Sequence, residues 1–188
     1  MIHAYHVIFT TYGFWLPNDP RGSWSDFVGA WELVRFGKAT KVTARRSLAH
    51  TQHDATVRRA AKRVLKHEPV IFSGLQALAV SRGFARAINE SDYTILACAI
   101  LPDHVHAVIA RHERRVERIV SHLKARATQS LKSEGLWPDD GRPTWAEHCW
   151  KVYLNTPSDI RRAVKYVNDN PLREDKRRQR WSFVVPYI

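Results

Sequence analysis

Two histidines stand at alternate positions, His104 and His106, in the run HVHAVIA (104–110). In extended chain, alternate side chains share a face, so the two imidazoles project together and Val105 faces the other way. Two adjacent imidazoles can hold one divalent ion and leave positions open for a substrate. The chain has ten histidines, so the pattern could also arise by chance. Its setting, after a Pro102–Asp103 turn and at the head of an apolar strand, favours the metal reading. A second pair is Tyr166 and Asn170, in a segment of helical periodicity. At about 100° per residue these two fall together. They lie on one edge of the apolar stripe formed by Ile160, Ala163, Val164 and Val167. A phenol can attack an electrophile once its proton is removed, and an amide oxygen is a ligand for hard cations. The plainer alternative is a half-buried aromatic and an Asn that ends the helix before Pro171. Tyr153, on the preceding strand, is a second candidate phenol.

These residues need a scaffold, and the pattern supplies one. AYHVIFTTY (4–12) alternates and is rich in β-branched and aromatic types, which predicts a strand. Residues 13–24 hold two Pro and two Gly and read as a loop. A helix is predicted over 54–66. Another is predicted over 70–89, where Gly74 and Gly83 argue against continuity. YTILACAIL (93–101) and HVHAVIA, separated by Pro102 and Asp103, predict a β-hairpin. Residues 114–133 carry an apolar stripe at helical spacing, and 145–154 predicts a last strand. Thr156–Pro157–Ser158–Asp159 is a helix start, with an N-cap hydroxyl, Pro at the first position and an acid three residues on. The order matches the split β-α-β-β-α-β pattern, so an α+β chain with a ferredoxin-like sheet is expected. An additional C-terminal helix carries Tyr166. A basic insertion (about 18–67) follows the first strand, and a basic tail covers 172–188.

The 188 residues suit a single domain. Thirty Lys and Arg against eighteen Asp and Glu leave a net charge of +12, which points to a polyanion such as nucleic acid. No long apolar run or signal peptide suggests a membrane partner. Cys98 and Cys149 fit a reducing cytoplasm better than a disulfide framework. A cytoplasmic, nucleoid-associated protein is therefore expected. Cations interleaved with flat rings suit single-stranded DNA. The candidates for DNA contact are Arg45, Arg46, Arg58, Arg59, Lys62 and Arg63 in the insertion, and Arg177, Arg178, Arg180 and Trp181 in the tail. Trp15, Trp24 and Trp31 near Arg21 and Arg35 repeat the theme, although core packing is the commoner use of tryptophan. His3 and His6, on the first strand, fall on opposite faces and do not pair with each other.

LPDHVHAVI, a helix, a Trp-containing strand and then YVNDNP together resemble the single-tyrosine HUH transposases, and within them the REP-associated tyrosine transposases. The resemblance covers 4–12 and 70–171 in order. It implies the HUH variant of the ferredoxin-like fold. It also implies metal ligation by His104 and His106, nucleophilic attack by Tyr166, and Asn170 as third ligand where many relatives carry Gln. The chemistry it implies is cleavage of single-stranded DNA next to a hairpin, aided by Mg²⁺ or Mn²⁺, giving a 5′-phosphotyrosine link and a free 3′-hydroxyl. Both monomers and homodimers occur among such proteins, and the long basic insertion is not inherited from the compact ones. Two other readings stay open. One is a non-catalytic, domesticated nucleic-acid-binding protein of the same fold. The other is an unrelated metal hydrolase, in which Glu147 and His148 would extend the site; the adjacent Asp103, in the turn before the strand, is expected to shape the hairpin.

Overall fold

The structure, a computed structural model, describes residues 1–14, 16, 28, 31–39, 52 and 54–188. The elements run β1 (Ala4–Thr10), α1 (Trp31–Val34), α2 (Ala55–Arg63), α3 (Gly74–Ser91), β2 (Ile95–Ile100), β3 (His104–Ala110), α4 (Val116–Ser133), β4 (Trp150–Leu154) and α5 (Pro157–Asp169). A 3-10 turn, Pro171–Glu174, follows. The four strands form one sheet in the order β2-β3-β1-β4. This is the expected ferredoxin-like order, in which two split β-α-β crossovers place the first and third strands side by side.

The chain forms two compact units. The first comprises Met1–Phe9, Ile71–Arg142 and Cys149–Ile188, and the second Thr10–Val70 and Pro143–His148. The second unit therefore covers the stretch read as an insertion. Its small core is Leu16, Leu33 and Ala61, with Val28, Phe36, Val64 and Leu65 packed on it. Asp54 caps α2 by accepting from the backbone N–H groups of Thr56 and Val57. Strand pairing among the described residues here is a bridge between Thr11 and Trp145. The last strand accordingly begins at Trp150, not at 145 as the apolar run suggested.

In the first unit the sheet separates two helical layers. On one face Phe9 of β1 meets Phe84 of α3, with ring centroids 6.0 Å apart, and the Lys124 ammonium of α4 lies 5.5 Å from the Phe9 ring. On the other face α5 lays Ile160, Ala163 and Val167 against Ala4, Leu96, Ala97, Ala99, Val108 and Leu154. Small side chains on that face let the helix come close. Ala97 and Ala99 sit directly across from Val108 and His106 in the β2/β3 register. Cys98 packs inside β2, as expected of a small apolar side chain.

Local chemistry fixes the helix starts. Ser73 and Gln76 form a reciprocal capping box, which starts α3 at 74 and not at 70. Thr156 and Asp159 form another at α5, with Pro157 at the first position. A cap of this kind contributes about 1 kcal/mol. The tail does not hang free. The Gln179 side-chain amide accepts from the Ile100 N–H and donates to the Ile100 carbonyl, both at 2.7 Å, and the Val185 N–H bonds the Ile95 carbonyl. These bonds occupy backbone groups on the outer edge of β2, which would otherwise be open to pairing with another strand.

Glu90 ties α3 to α4. Its carboxylate accepts from Arg86 on its own helix (2.9 Å) and from Arg126 (2.6 Å) and His122 (3.1 Å) on α4. The Arg86 hydrogen bond, followed by those from Arg126 and His122, pulls this carboxyl from 4.5 down to about 2 against a smaller opposing desolvation. A group held below its unfolded value stabilises the fold above that value and loses the contribution as pH falls. Wild-type stability, followed by urea unfolding, is therefore expected to decline between about pH 4.5 and about 2. Glu90→Gln is expected to flatten that part of the profile, and an unchanged slope would show that this cluster is not the source.

Candidate functional site

β3 sets the first pair. The Leu101 N–H donates to the His104 carbonyl at 2.8 Å, closing a tight turn through Pro102 and Asp103 that starts the strand at His104. The two imidazoles then emerge on the α5 face of the sheet. Their ring centroids are 4.9 Å apart and nearly perpendicular. His104 stays partly open, its side chain 12% exposed, whereas His106 is buried.

α5 brings Tyr166 to the same place. Its half-buried ring lies 5.6 Å from that of His106, in an edge contact. The Arg173 guanidinium, from the 3-10 turn, sits 4.6 Å from the Tyr166 ring centroid. Asn170 is buried in line with Ile160, Ala163 and Val167. It is the C-cap of α5, whose last helical residue is Asp169. Its backbone stays right-handed at φ −60° and ψ −43°, the 3-10 turn continues from Pro171, and its side chain caps nothing. This position matches the alternative in which Asn170 ends the helix before Pro171. The fallback phenol, Tyr153, pairs across β1 with Tyr5, while the next position, Val152, pairs with His6. Alternation therefore turns Tyr153 away from the histidine face.

Three residues join the site that the sequence did not mark for it. His6 on β1 places Nε2 3.2 Å from His106 Nδ1, with the rings stacked at 5.4 Å. Glu174 brings Oε1 to 3.8 Å from His104 Nε2. Arg173, just before it, covers the tyrosine. Asp103, expected to shape the hairpin, also bonds His104 Nδ1 at 2.7 Å. Among the described residues, Asp103, His104 and Glu174 form a group whose ligand atoms all lie within 4.8 Å of one another. This overlaps the expected His104, His106 and Asn170 set only at His104. A carboxylate on Nδ1 of a histidine is a common outer partner of a metal ligand, since it fixes the ring with Nε2 outward. The donors brought together, imidazole nitrogen and carboxylate oxygen, suit a divalent cation of intermediate to hard character.

Burial decides the charge state of the two inner rings. Desolvation lowers His6 to about 4. His106 is pushed well below 6.5, first by desolvation and then by the nearby His104, His6 and Arg173 charges. Both rings are neutral at physiological pH, and a neutral imidazole keeps a lone pair for a cation.

The expected DNA contacts divide between the two units. Arg58, Arg59, Lys62 and Arg63 lie on α2 in the second unit. Arg45, Arg46, Arg21, Trp15, Trp24 and the Trp31 side chain fall outside the described residues. In the tail, Arg177 and Arg180 are exposed and Arg178 bonds Asp169. Trp181 stacks on Phe183 at 6.3 Å, the rings almost parallel, and Phe183 in turn meets Phe84. Glu147 and His148 precede β4 and are exposed in the second unit. Among the described residues, no helix is long and apolar enough to cross a membrane.

A ferredoxin-like sheet with an HxH pair on a central strand and a tyrosine-bearing helix over the same face is the HUH arrangement. The family model described as transposase, IS200 like, matches residues 45–169, two thirds of the chain. The chain belongs to that family of transposases. The matched stretch holds His104, His106 and Tyr166 and stops one residue short of Asn170. Two solved structures are similar. One is a REP-associated tyrosine transposase bound to a REP hairpin, at 13% identity and TM-score 0.48, covering 92% of this chain and 68% of that one. The other is a protein of Deinococcus radiodurans assigned as a transposase, at 10% identity and TM-score 0.41, covering 95% and 94%. No curated protein is a significant match.

Proposed function

We propose that the protein cleaves and rejoins single-stranded DNA beside a hairpin, with Tyr166 as the nucleophile. The observation that carries this reading is the meeting of the Tyr166 ring with His106, 5.6 Å away, and of His106 with His104 at 4.9 Å, in a chain of this transposase family. The phenolic oxygen attacks the scissile phosphorus in line. The phenol gives up its proton, the bond to the 3′ oxygen breaks, and that oxygen takes a proton as the free 3′-hydroxyl. The 5′ phosphate stays on the tyrosine, so the bond energy is kept and a later 3′-hydroxyl can reverse the step without ATP.

His104, His106 and Asn170 would hold Mg²⁺ or Mn²⁺, with Asp103 orienting His104 and Glu174 adding a carboxylate beside it. Such an ion, when bound, supplies Lewis-acid polarisation of the phosphate. Arg173 lies over the nucleophile's ring and offers a fixed cation to the same phosphate. The exposed tail cations Arg177 and Arg180, and Arg59 and Arg63 on α2 of the second unit, would contact the phosphate backbone of the strand.

The test is incubation of the full chain with a library of single-stranded hairpins carrying randomised flanks, in Mn²⁺, followed by a denaturing gel. A DNA label at the 3′ end is expected to migrate with the protein and a label at the 5′ end to leave with the released fragment. EDTA is expected to abolish both products. Absence of any adduct across the library, or an adduct carrying the 5′ label, would overturn the proposal.

A further inference from the structure

His6 contacts three rings of the site, as many as His106 does, and neither the family's HxH pair nor its tyrosine accounts for it. It lies on β1, directly beside β3 in the sheet order. It stacks on His106 with an interplanar angle of 24° and a centroid distance of 5.4 Å. The edge of Trp150 closes on it at 5.4 Å and 90°, and Tyr166 at 5.7 Å and 63°. It is 8% exposed. A buried ring held on three sides has one orientation, and that orientation aims Nε2 at Nδ1 of His106, 3.2 Å away.

A hydrogen bond between two neutral imidazoles needs one N–H and one lone pair. Only two arrangements exist. Either His6 donates through Nε2–H to Nδ1 of His106, which leaves the His106 proton on Nε2 and blocks that nitrogen, or His106 donates through Nδ1–H and keeps the Nε2 lone pair. A cation at His106 Nε2 requires the second. We propose that His6 is a positioning residue for His106: it accepts the Nδ1–H hydrogen bond and so fixes both the ring angle and the tautomer that exposes the Nε2 lone pair to a divalent cation. The proposal rests on the reading of His106 as a metal ligand. His104 gains the same service from the Asp103 carboxylate on its Nδ1. Each member of the pair thus has its own outer partner, one charged and near the surface, the other neutral and buried. A neutral acceptor suits the inner position, because a buried carboxylate there would carry a large desolvation cost.

The probe is Mn²⁺ alone, titrated into the full chain and followed by loss of the free-ion EPR signal. His6→Phe keeps a ring against Trp150 and Tyr166 but has no acceptor, and it is expected to weaken Mn²⁺ binding on the order of 10- to 100-fold, the usual cost of losing an outer partner. His6→Gln can present a carbonyl oxygen near the position of Nε2 and is expected to stay within a few-fold of wild type. His6→Leu, a second acceptor-free variant, should match His6→Phe, and thermal unfolding identifies which variants remain folded at the assay temperature. His106→Ala separates the two levels of the argument. If it binds Mn²⁺ as wild type does, the metal reading fails and this inference with it. If it loses Mn²⁺ while folded His6→Phe or His6→Leu binds normally, only the role of His6 is overturned. Equal weakening in His6→Gln and His6→Phe would likewise overturn the acceptor role, because packing alone would then explain the loss.

Discussion

Tyr166→Phe is expected to abolish covalent capture of DNA, with a loss on the order of 10⁴-fold or more, as when a covalent nucleophile is removed. Binding of the same hairpin, measured by fluorescence anisotropy, should stay within about two-fold, because phenylalanine retains the apolar body of the ring and its cation–π face. The aromatic contacts to His106 and His6 and the Arg173 guanidinium at 4.6 Å all involve the ring and not the hydroxyl. Loss of the hydroxyl should cost the fold no more than about 1 kcal/mol. The variant thus isolates one oxygen atom. An adduct that persists at the wild-type rate would remove Tyr166 from the role. Tyr153 could not simply take its place, since its pairing with Tyr5 puts it on the sheet face away from His6.

Residues acting through short-range spacing were legible without coordinates. An HxH pair needs only strand periodicity to be read as one face, and Thr156–Pro157–Ser158–Asp159 needs only cap chemistry to mark the start of α5. What escaped depends on contacts far apart in sequence. His6 and His106 are 100 residues apart. The ferredoxin-like order would have put their strands side by side, but only the register between those strands brings these two rings to the same level. Glu174 and Arg173 were read as part of a basic tail, because Pro171 normally ends a helix. Here it opens a 3-10 turn that carries both residues back over the site. Trp181 fits the composition of a DNA-stacking residue, yet Phe183 already covers one face of it. Composition names the kinds of side chain in a segment and cannot say which are already engaged.

By sequence alone Gly83 argues against a continuous helix, and the structure gives it the opposite meaning. Gly83→Ala is expected to destabilise the protein by about 1–3 kcal/mol, the usual range for overpacking a close contact. The intrinsic preference runs the other way, since alanine is better than glycine in an exposed helix interior by about 1 kcal/mol. Geometry decides between them. A Cβ at position 83 would stand 2.5 Å from Ala127 Cα, 2.5 Å from the Arg126 carbonyl oxygen and 2.6 Å from the Ala127 nitrogen. All three are backbone atoms of α4, so no side chain can swing aside and the helices themselves must separate. Ala79 and Ala87, one turn before and after, are also fully buried, and a shift there would disturb the whole stripe. For a chain of this size the loss corresponds to a fall in melting temperature of roughly 2–12 °C. Gly74→Ala is the matched control: it lies in the first turn of the same helix with nothing within 4 Å of the added Cβ, so its stability should hold or rise. Equal melting temperatures for the two variants would show that α3 and α4 do not pack this closely. The helices they join back the sheet face opposite the histidines. Gly83→Ala protein that remains folded at low temperature should therefore still form the DNA adduct at close to the wild-type rate, which separates support of the fold from the chemistry at Tyr166.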